Sequence, residues 1–320
     1  MIGRPGRRFG MQYLRSNARL QAEDARLNAT LSLIAPSASI NHSGSSLWSH
    51  LVGTFEILRA WGADTDICLA GLIHSVYATQ YFQKAIVAPA RRRQVASVVG
   101  KRAERLAHVF CIVDRQTIWE TDVPPFGSTV AARLKEHRGS ATVRVSGDTL
   151  RALRLIDLAN ELEQMQRNPG PPIAWFGRVC AGFRSIGFVP SHLTADSLAI
   201  EGSDERRLLR HYGEAVHSPR ERARRLLMRC ISEVPRCAEP RLLLAVIQLV
   251  AGDRSSAYRN ARTGLDDLRG WGVAWDTRVP FLAWELLGSQ LVEAARFGAR
   301  KPPAIAEQIT ERLRRVVGPR

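Results

Sequence analysis

The sequence predicts an all-α protein, and three observations carry the prediction. Apolar residues recur at three- and four-residue spacing along most of the 320 residues, the period of an amphipathic helix. Gly and Pro break these segments at intervals that suit helices. Two-residue alternation is confined to Ala141-Thr142-Val143-Arg144-Val145-Ser146, which allows one short strand. Hydrophobic residues make up 45% of the chain, enough for one large core or two ordinary ones.

Residues 1–39 read as a leader and a first helix. The opening, MIGRPGRRFGMQYLRSNARL, is arginine-rich and lacks the apolar core of a secretory signal. It reads as a disordered leader, or as upstream residues with Met11 as the initiator. Mixed periodicity over 12–34 predicts a helix that Ala35-Pro36-Ser37 breaks.

Residues 40–190 form the first predicted domain. Ser46 caps a helix that carries Leu47, Leu51, Phe55 and Leu58 at helical spacing, and Gly62 stops it. Asp64 or Thr65 caps the next helix, where Ala70 and Gly71 permit close approach. Shorter helices are predicted over 79–88, 90–99 and 101–118, divided by Pro89 and Gly100. Residues 122–148 read as loop apart from the alternating stretch. Thr149 opens the helix LRALRLIDLANELEQMQ, and Asn168-Pro169-Gly170-Pro171-Pro172 closes it. A further helix covers 173–187.

Residues 188–204 read as a linker. A second domain, 204–320, follows as helical hairpins in a repeat-like stack. Its helices are predicted near 204–216, 219–233, 238–251, 253–269, 278–298 and 303–317. Segment 238–251 is apolar almost all round and is expected to be buried between neighbours. Leu58-Arg59-Ala60-Trp61-Gly62 and Leu268-Arg269-Gly270-Trp271-Gly272 share LRxWG, a match short enough to be coincidence. No converging His, Asp or Glu set occurs in this half, so it is expected to pack or to bind a protein partner. Trp271, Trp275 and Trp284 are candidates for an interface or a core.

The formal net charge is +16. Only four of the 46 basic residues are lysine (Lys84, Lys101, Lys135 and Lys301), a skew that compositional bias explains as well as a binding face does. Nucleic-acid binding is therefore not expected. The arginines Arg220, Arg222, Arg224 and Arg225 spread over more than one helical face at 100° per residue. Five scattered cysteines with no CxxC pair point to reduced thiols and a cytoplasmic protein. No apolar run approaches the roughly 18 residues of a membrane span, so no membrane association is expected.

The chemistry-bearing stretch is HSGSSLWSHLVGTFEILRAWGADTDICLAGLIHSVYAT, from His42 to Thr79. His50 opens one amphipathic helix and His74 lies near the end of the next. Antiparallel helices bring such residues face to face, as metal sites in bundle cores require. Asp157, in the apolar LRLIDLAN, is a carboxylate that would be costly to bury without a partner. Tyr77 either lines a pocket or packs. Asp114-Arg115 forms a pocket-rim pair or a surface pair, and Arg91-Arg92-Arg93 a solvated face or a steering patch.

These residues resemble the HD superfamily of metal-dependent phosphohydrolases, whose pattern is H…HD…D on helices. LIDLAN is similar to the segment that carries the last Asp in its alarmone-hydrolase members. The stretch is more similar still to an HD-related domain family worded "H…L…HL…G…WG…CLAGL.HSVYGT". The resemblance covers about residues 40–190. It implies His50, His74 and Asp157 as metal ligands, with Asp157 also in the chemistry and His42 orienting a ligand or moving a proton.

Ser75 stands where the superfamily has the Asp of its HD pair, and serine is a poor ligand for a divalent ion. What remains suits one Fe, Mn or Zn ion with open positions. The implied function is hydrolysis of a small phosphorylated or nucleotide-like substrate. The alternatives are a non-catalytic ligand-binding or scaffold protein of the same fold, or a mononuclear iron oxygenase. Walker, GxGxxG, GxSxG, HExxH and zinc-finger patterns are absent from the sequence.

Overall fold

A computed structural model describes residues 21–42, 45–298 and 301–315. The expected leader, including Met1 and Met11, lies outside the described residues. The chain is all-α, with two short antiparallel strand pairs. It divides into two compact units: one comprises residues 1–55 and 64–156, the other 56–63 and 157–320. The division falls at 156/157 within a helix, whereas the sequence suggests a linker at 188–204.

Helix α1 covers residues 21–34, and its Arg26 reaches Asp66 at 2.6 Å. In the first unit β1 (Asn41–His42) pairs with β2 (Ser45–Ser46) ahead of α2 (Leu47–Ala60). Ser46 caps α2, its Oγ accepting from the Ser49 amide at 3.2 Å. Asp64 caps α3 (Thr65–Leu72) by accepting from the Ile67 amide at 2.9 Å. The residues Cys68–Leu72 are all buried, Ala70 and Gly71 among them.

The predicted helix at 79–88 is not formed. The chain runs instead through turns from Ile73 to Ala88. Its Val76 carbonyl accepts from both the Ile86 and Val87 amides, so backbone partners come from across a loop rather than from a helical turn. Helices α4 (Arg92–Val99) and α5 (Lys101–Ile112) follow, then α6 (Arg115–Glu120). The expected single helix over 101–118 is broken because Asp114 caps α6, accepting from the Gln116 amide at 3.1 Å.

The expected strand is present as β4 (Thr142–Val145). Its partner β3 (Ala132–Lys135) lies in the stretch read as loop. With alternate residues buried over only four positions, β3 is too short to show a pattern. Helix α7 (Gly147–Gln166) closes the series that begins in this unit.

The second unit contains α8 (Phe176–Ile186), α9 (Gly202–His217), α10 (Arg220–Glu233), α11 (Ala238–Val250), α12 (Arg254–Trp271), α13 (Phe281–Phe297) and α14 (Ala304–Arg315). Each of α9–α13 packs against the next, and α14 returns to α9. Its core holds Trp271, Trp275 and Trp284, all buried.

Two short sequence likenesses meet in this core. Both LRxWG segments touch: the Trp61 Nε1 donates to the Trp271 carbonyl at 3.1 Å. Gly272 sits at φ 70°, and a Cβ there would lie 3.2 Å from the Ile57 Cα, so only glycine suits both the turn and the contact. The second likeness is Ile173-Ala174-Trp175-Phe176-Gly177-Arg178 against Val273-Ala274-Trp275-Asp276-Thr277-Arg278. A buried glutamate receives the amides of each turn. Glu205 accepts from Trp175, Phe176 and Gly177 at 2.6, 2.8 and 3.0 Å. Glu239 accepts from Trp275 and Asp276 at 2.6 and 3.3 Å. Side-chain acceptors of this kind satisfy otherwise orphaned amides.

Helix α11 departs from expectation. Leu242, Leu244, Ala245 and Leu249 are buried, but Leu243, Val246, Ile247 and Val250 remain only half-buried along one face.

Candidate functional site

In the first unit α2 and the turn after α3 bring two histidines together. His50 lies one turn beyond Leu47 and beside Leu51, on the face of α2 that is buried. His74 is not in a helix, as expected, but two residues beyond the end of α3. The reason lies in its own ring: His74 Nδ1 donates to the Gly71 carbonyl at 2.7 Å, satisfying an acceptor that the ending helix leaves open.

His50 Nε2 and His74 Nε2 are 3.1 Å apart, with the rings edge to face. Each residue is 1% exposed. A carbonyl only accepts, so His74 carries its proton on Nδ1, and its Nε2 presents a lone pair. Between neutral rings that lone pair accepts from His50 Nε2–H. If His50 instead carries its proton on Nδ1, both Nε2 lone pairs face the same point.

The wall around the pair is apolar and aromatic. Phe110 meets the His74 ring at a 5.4 Å centroid distance, and the Arg115 guanidinium lies 3.2 Å over the Phe110 ring. Arg115 is therefore buried against an aromatic face, and Asp114 caps α6. Cys111 Sγ donates to the His74 carbonyl at 3.1 Å. Burial pushes its thiol up to about 12, so it stays protonated and unreactive. Ser75 is also buried.

A second polar cluster adjoins this segment. Tyr77 Oη donates to Glu104 Oε1 at 3.0 Å. Arg92 grips the same carboxylate with two bonds of 2.6 and 2.9 Å. Thus the middle arginine of the Arg91–Arg93 run turns inward, while Arg91 bonds Gln94. Burial first, then Glu104, raises the Tyr77 hydroxyl. His108 packs edge to face on Tyr77, and burial followed by the Arg92 charge lowers its pKa. Sequence reasoning missed Glu104 and His108. Their signal was a charged residue and an imidazole at i, i+4 among the apolar stripe positions Ala103, Ala107 and Cys111.

Asp157 is buried on α7, in the second unit. The backbone of His42 is in β1, but its side chain lies outside the described residues.

The imidazole pair fits two positions around one ion. Nitrogens bound at about 2.0–2.1 Å with bond angles near 90–109° lie about 2.9–3.4 Å apart. The bond from His74 Nδ1 to a backbone carbonyl is also the usual outer support of a metal-bound histidine. A larger set is a different matter. Among the described residues no group of three or more His, Cys, Asp or Glu side chains could hold a metal ion.

Residues 34–115 match the model of a domain of unknown function, DUF6817. No curated protein matches the chain, and no solved structure matches it. The matched span takes in both histidines, Ser75, Tyr77, Glu104 and His108, and ends before Asp157. Both polar clusters of the first unit therefore fall inside that domain. Among the described residues no helix is long and apolar enough to cross a membrane, and the five cysteines are buried and form no disulfide.

Proposed function

We propose that the first unit is an HD-like domain that binds one divalent ion through His50 and His74 and hydrolyses a small phosphorylated or nucleotide-like compound. The observation that carries this reading is the 3.1 Å approach of two buried Nε2 atoms, one of them presented by the Nδ1 bond to Gly71. A bound divalent ion supplies polarisation of a phosphoryl oxygen and a lowered pKa for water. The chain's own contribution is orientation. Gly71 holds the His74 tautomer, Phe110 fixes the ring plane, and the Tyr77–Glu104–Arg92 cluster pins the turn that carries Ser75. Two imidazoles leave open positions for water and for the substrate's oxygens, so the ion and a phosphorylated ligand are expected to bind better together than apart.

Ser75 supports a second reading, a non-catalytic ligand-binding domain of the same fold, because a serine follows His74 in the chain where the HD pattern has an aspartate.

The test is release of phosphate from nucleotides and other small phosphate esters by tag-free full-length protein supplied with Mn, Zn or Fe(II). Ion-dependent turnover, lost at least 100-fold in His74→Ala, supports hydrolysis. Ion binding with no turnover above that variant supports the second reading. Asp157→Asn tests the carboxylate that the resemblance implies. A tenfold loss of ion affinity assigns Asp157 to the site, and unchanged affinity leaves the two imidazoles as its protein ligands.

A further inference from the structure

The second unit has its own cavity, distant in chemistry from the histidine pair. Its volume is about 320 Å³, within the range of small-molecule pockets between helices. Four helices line it, with Ala215 and Val216 coming from α9. From α10 come Ala223 and Leu227, one turn apart; from α14 comes Leu313. The largest wall is the half-buried face of α11, with Leu243, Val246, Ile247 and Val250 at i, i+3, i+4 and i+7. Helix α11 is apolar almost all round, yet the protein buries only part of it. Leaving four aliphatic side chains short of full burial forgoes stabilisation that a bound apolar group would restore.

The polar groups of the lining have one sign. Arg220 and Arg314 are among the described lining residues, which include no carboxylate. Arg314 is held in place by its Nε, which donates to the Val216 carbonyl at 3.2 Å. Ser218 and Thr310 add hydroxyls. The volume of about 320 Å³ is less than the roughly 400 Å³ that one turn of a partner helix, about 10 Å across and 5.4 Å long, would occupy.

We propose that this cavity binds a small amphipathic anion, an unbranched acyl chain ending in a carboxylate, with the chain on α11 and the acid between Arg220 and Arg314. Apolar walls with a few placed polar groups are the pattern of ligand sites, and two arginines select an anionic end.

The experiment measures binding of dodecanoate and of dodecanol, below their micelle or solubility limits, to the full chain. Displacement of a fluorescent fatty acid is followed. Saturable 1:1 binding of dodecanoate is expected. Val246→Trp fills the cavity and should weaken it at least tenfold. Val250→Phe does the same nearer the mouth and serves if the first variant unfolds, circular dichroism being the check. Arg220→Gln combined with Arg314→Gln should weaken dodecanoate at least fivefold and leave dodecanol within twofold. Several results would overturn the proposal: no saturable binding of dodecanoate, or binding indifferent to cavity filling in folded variants. Equal loss of acid and alcohol in the arginine variant also overturns it. So does concentration-dependent dimerisation without dodecanoate binding, which assigns the α11 face to a second copy.

Discussion

Nε2 of His50 stands 3.1 Å from Nε2 of His74, and both rings are almost wholly removed from solvent. The pair is either hydrogen-bonded ring to ring or shares a cation. The proposed ion site and its simplest alternative are these two states of one pair.

The turn just after His74 carries strain that can be measured. Ala78 adopts φ 71°, a left-handed conformation that costs a residue with a Cβ about 1–2 kcal/mol. The related wording has glycine there. Ala78→Gly should stabilise the protein by about 0.5–1 kcal/mol after the added backbone entropy of glycine. Urea unfolding measures this, and a clear destabilisation would contradict the backbone conformation described.

Glu104 holds the same segment from α5. Glu104→Gln removes the charge but keeps one acceptor oxygen, so Arg92 loses its ion pair and competes with Tyr77 for that oxygen. Arg92 is partly exposed, so water recovers some of the loss. Glu104→Gln should cost about 2 kcal/mol and Tyr77→Phe about 1 kcal/mol. The double variant should cost less than their sum, because both act on one carboxylate. Strict additivity in unfolding midpoints would show that Tyr77 and Glu104 do not interact.

Much of the fold was legible in the sequence, especially where helices have long apolar stripes and clear stops. The six helices α9–α14 match the predicted segments closely because Pro219, Pro235, Pro240, Gly252 and Pro302 mark their ends. Residues 79–88 misled because their apolar residues pack as a loop around the Val76 carbonyl. Strand β3 was hidden because four residues cannot display a period. The histidine pair was readable from His50 and His74 alone. The Glu104–Arg92–Tyr77 cluster was not, since arginine runs usually face water and nothing local showed Arg92 turning inward. Helix α11 was read correctly as apolar, but its half-buried face depends on where α10 and α14 stop covering it.

Two groups in the second unit, half-buried His192 and buried Glu239, titrate in opposite senses. Burial, then the Arg236 charge, lowers His192 to about 4, against about 6.5 in an unfolded chain. Its stabilising effect is full above pH 6.5 and lost as pH falls through 4. Burial raises Glu239 to about 7, against about 4.3 unfolded. Its effect is full below that unfolded value and lost as pH rises through 7. Relative to wild type, His192→Phe should therefore gain stability as pH falls from 6.5 to 4. Glu239→Gln should gain it as pH rises from 4.5 to 7. Urea midpoints measured across this range decide; curves parallel to wild type would refute both assignments.

The central claim is that His50 and His74 share one ion, and the direct measurement is ion stoichiometry. Tag-free full-length protein is dialysed against Mn, Zn or Fe(II), and retained metal is counted per chain by mass spectrometry. His74→Ala and Ser75→Asp, each checked for folding by circular dichroism, are treated alongside. The account predicts close to one ion per chain in wild type and almost none in His74→Ala. It predicts tighter retention in Ser75→Asp, where an anionic oxygen is added beside the pair. Wild type that retains no more metal than His74→Ala would contradict it, and the two histidines would then be a hydrogen-bonded pair of the core.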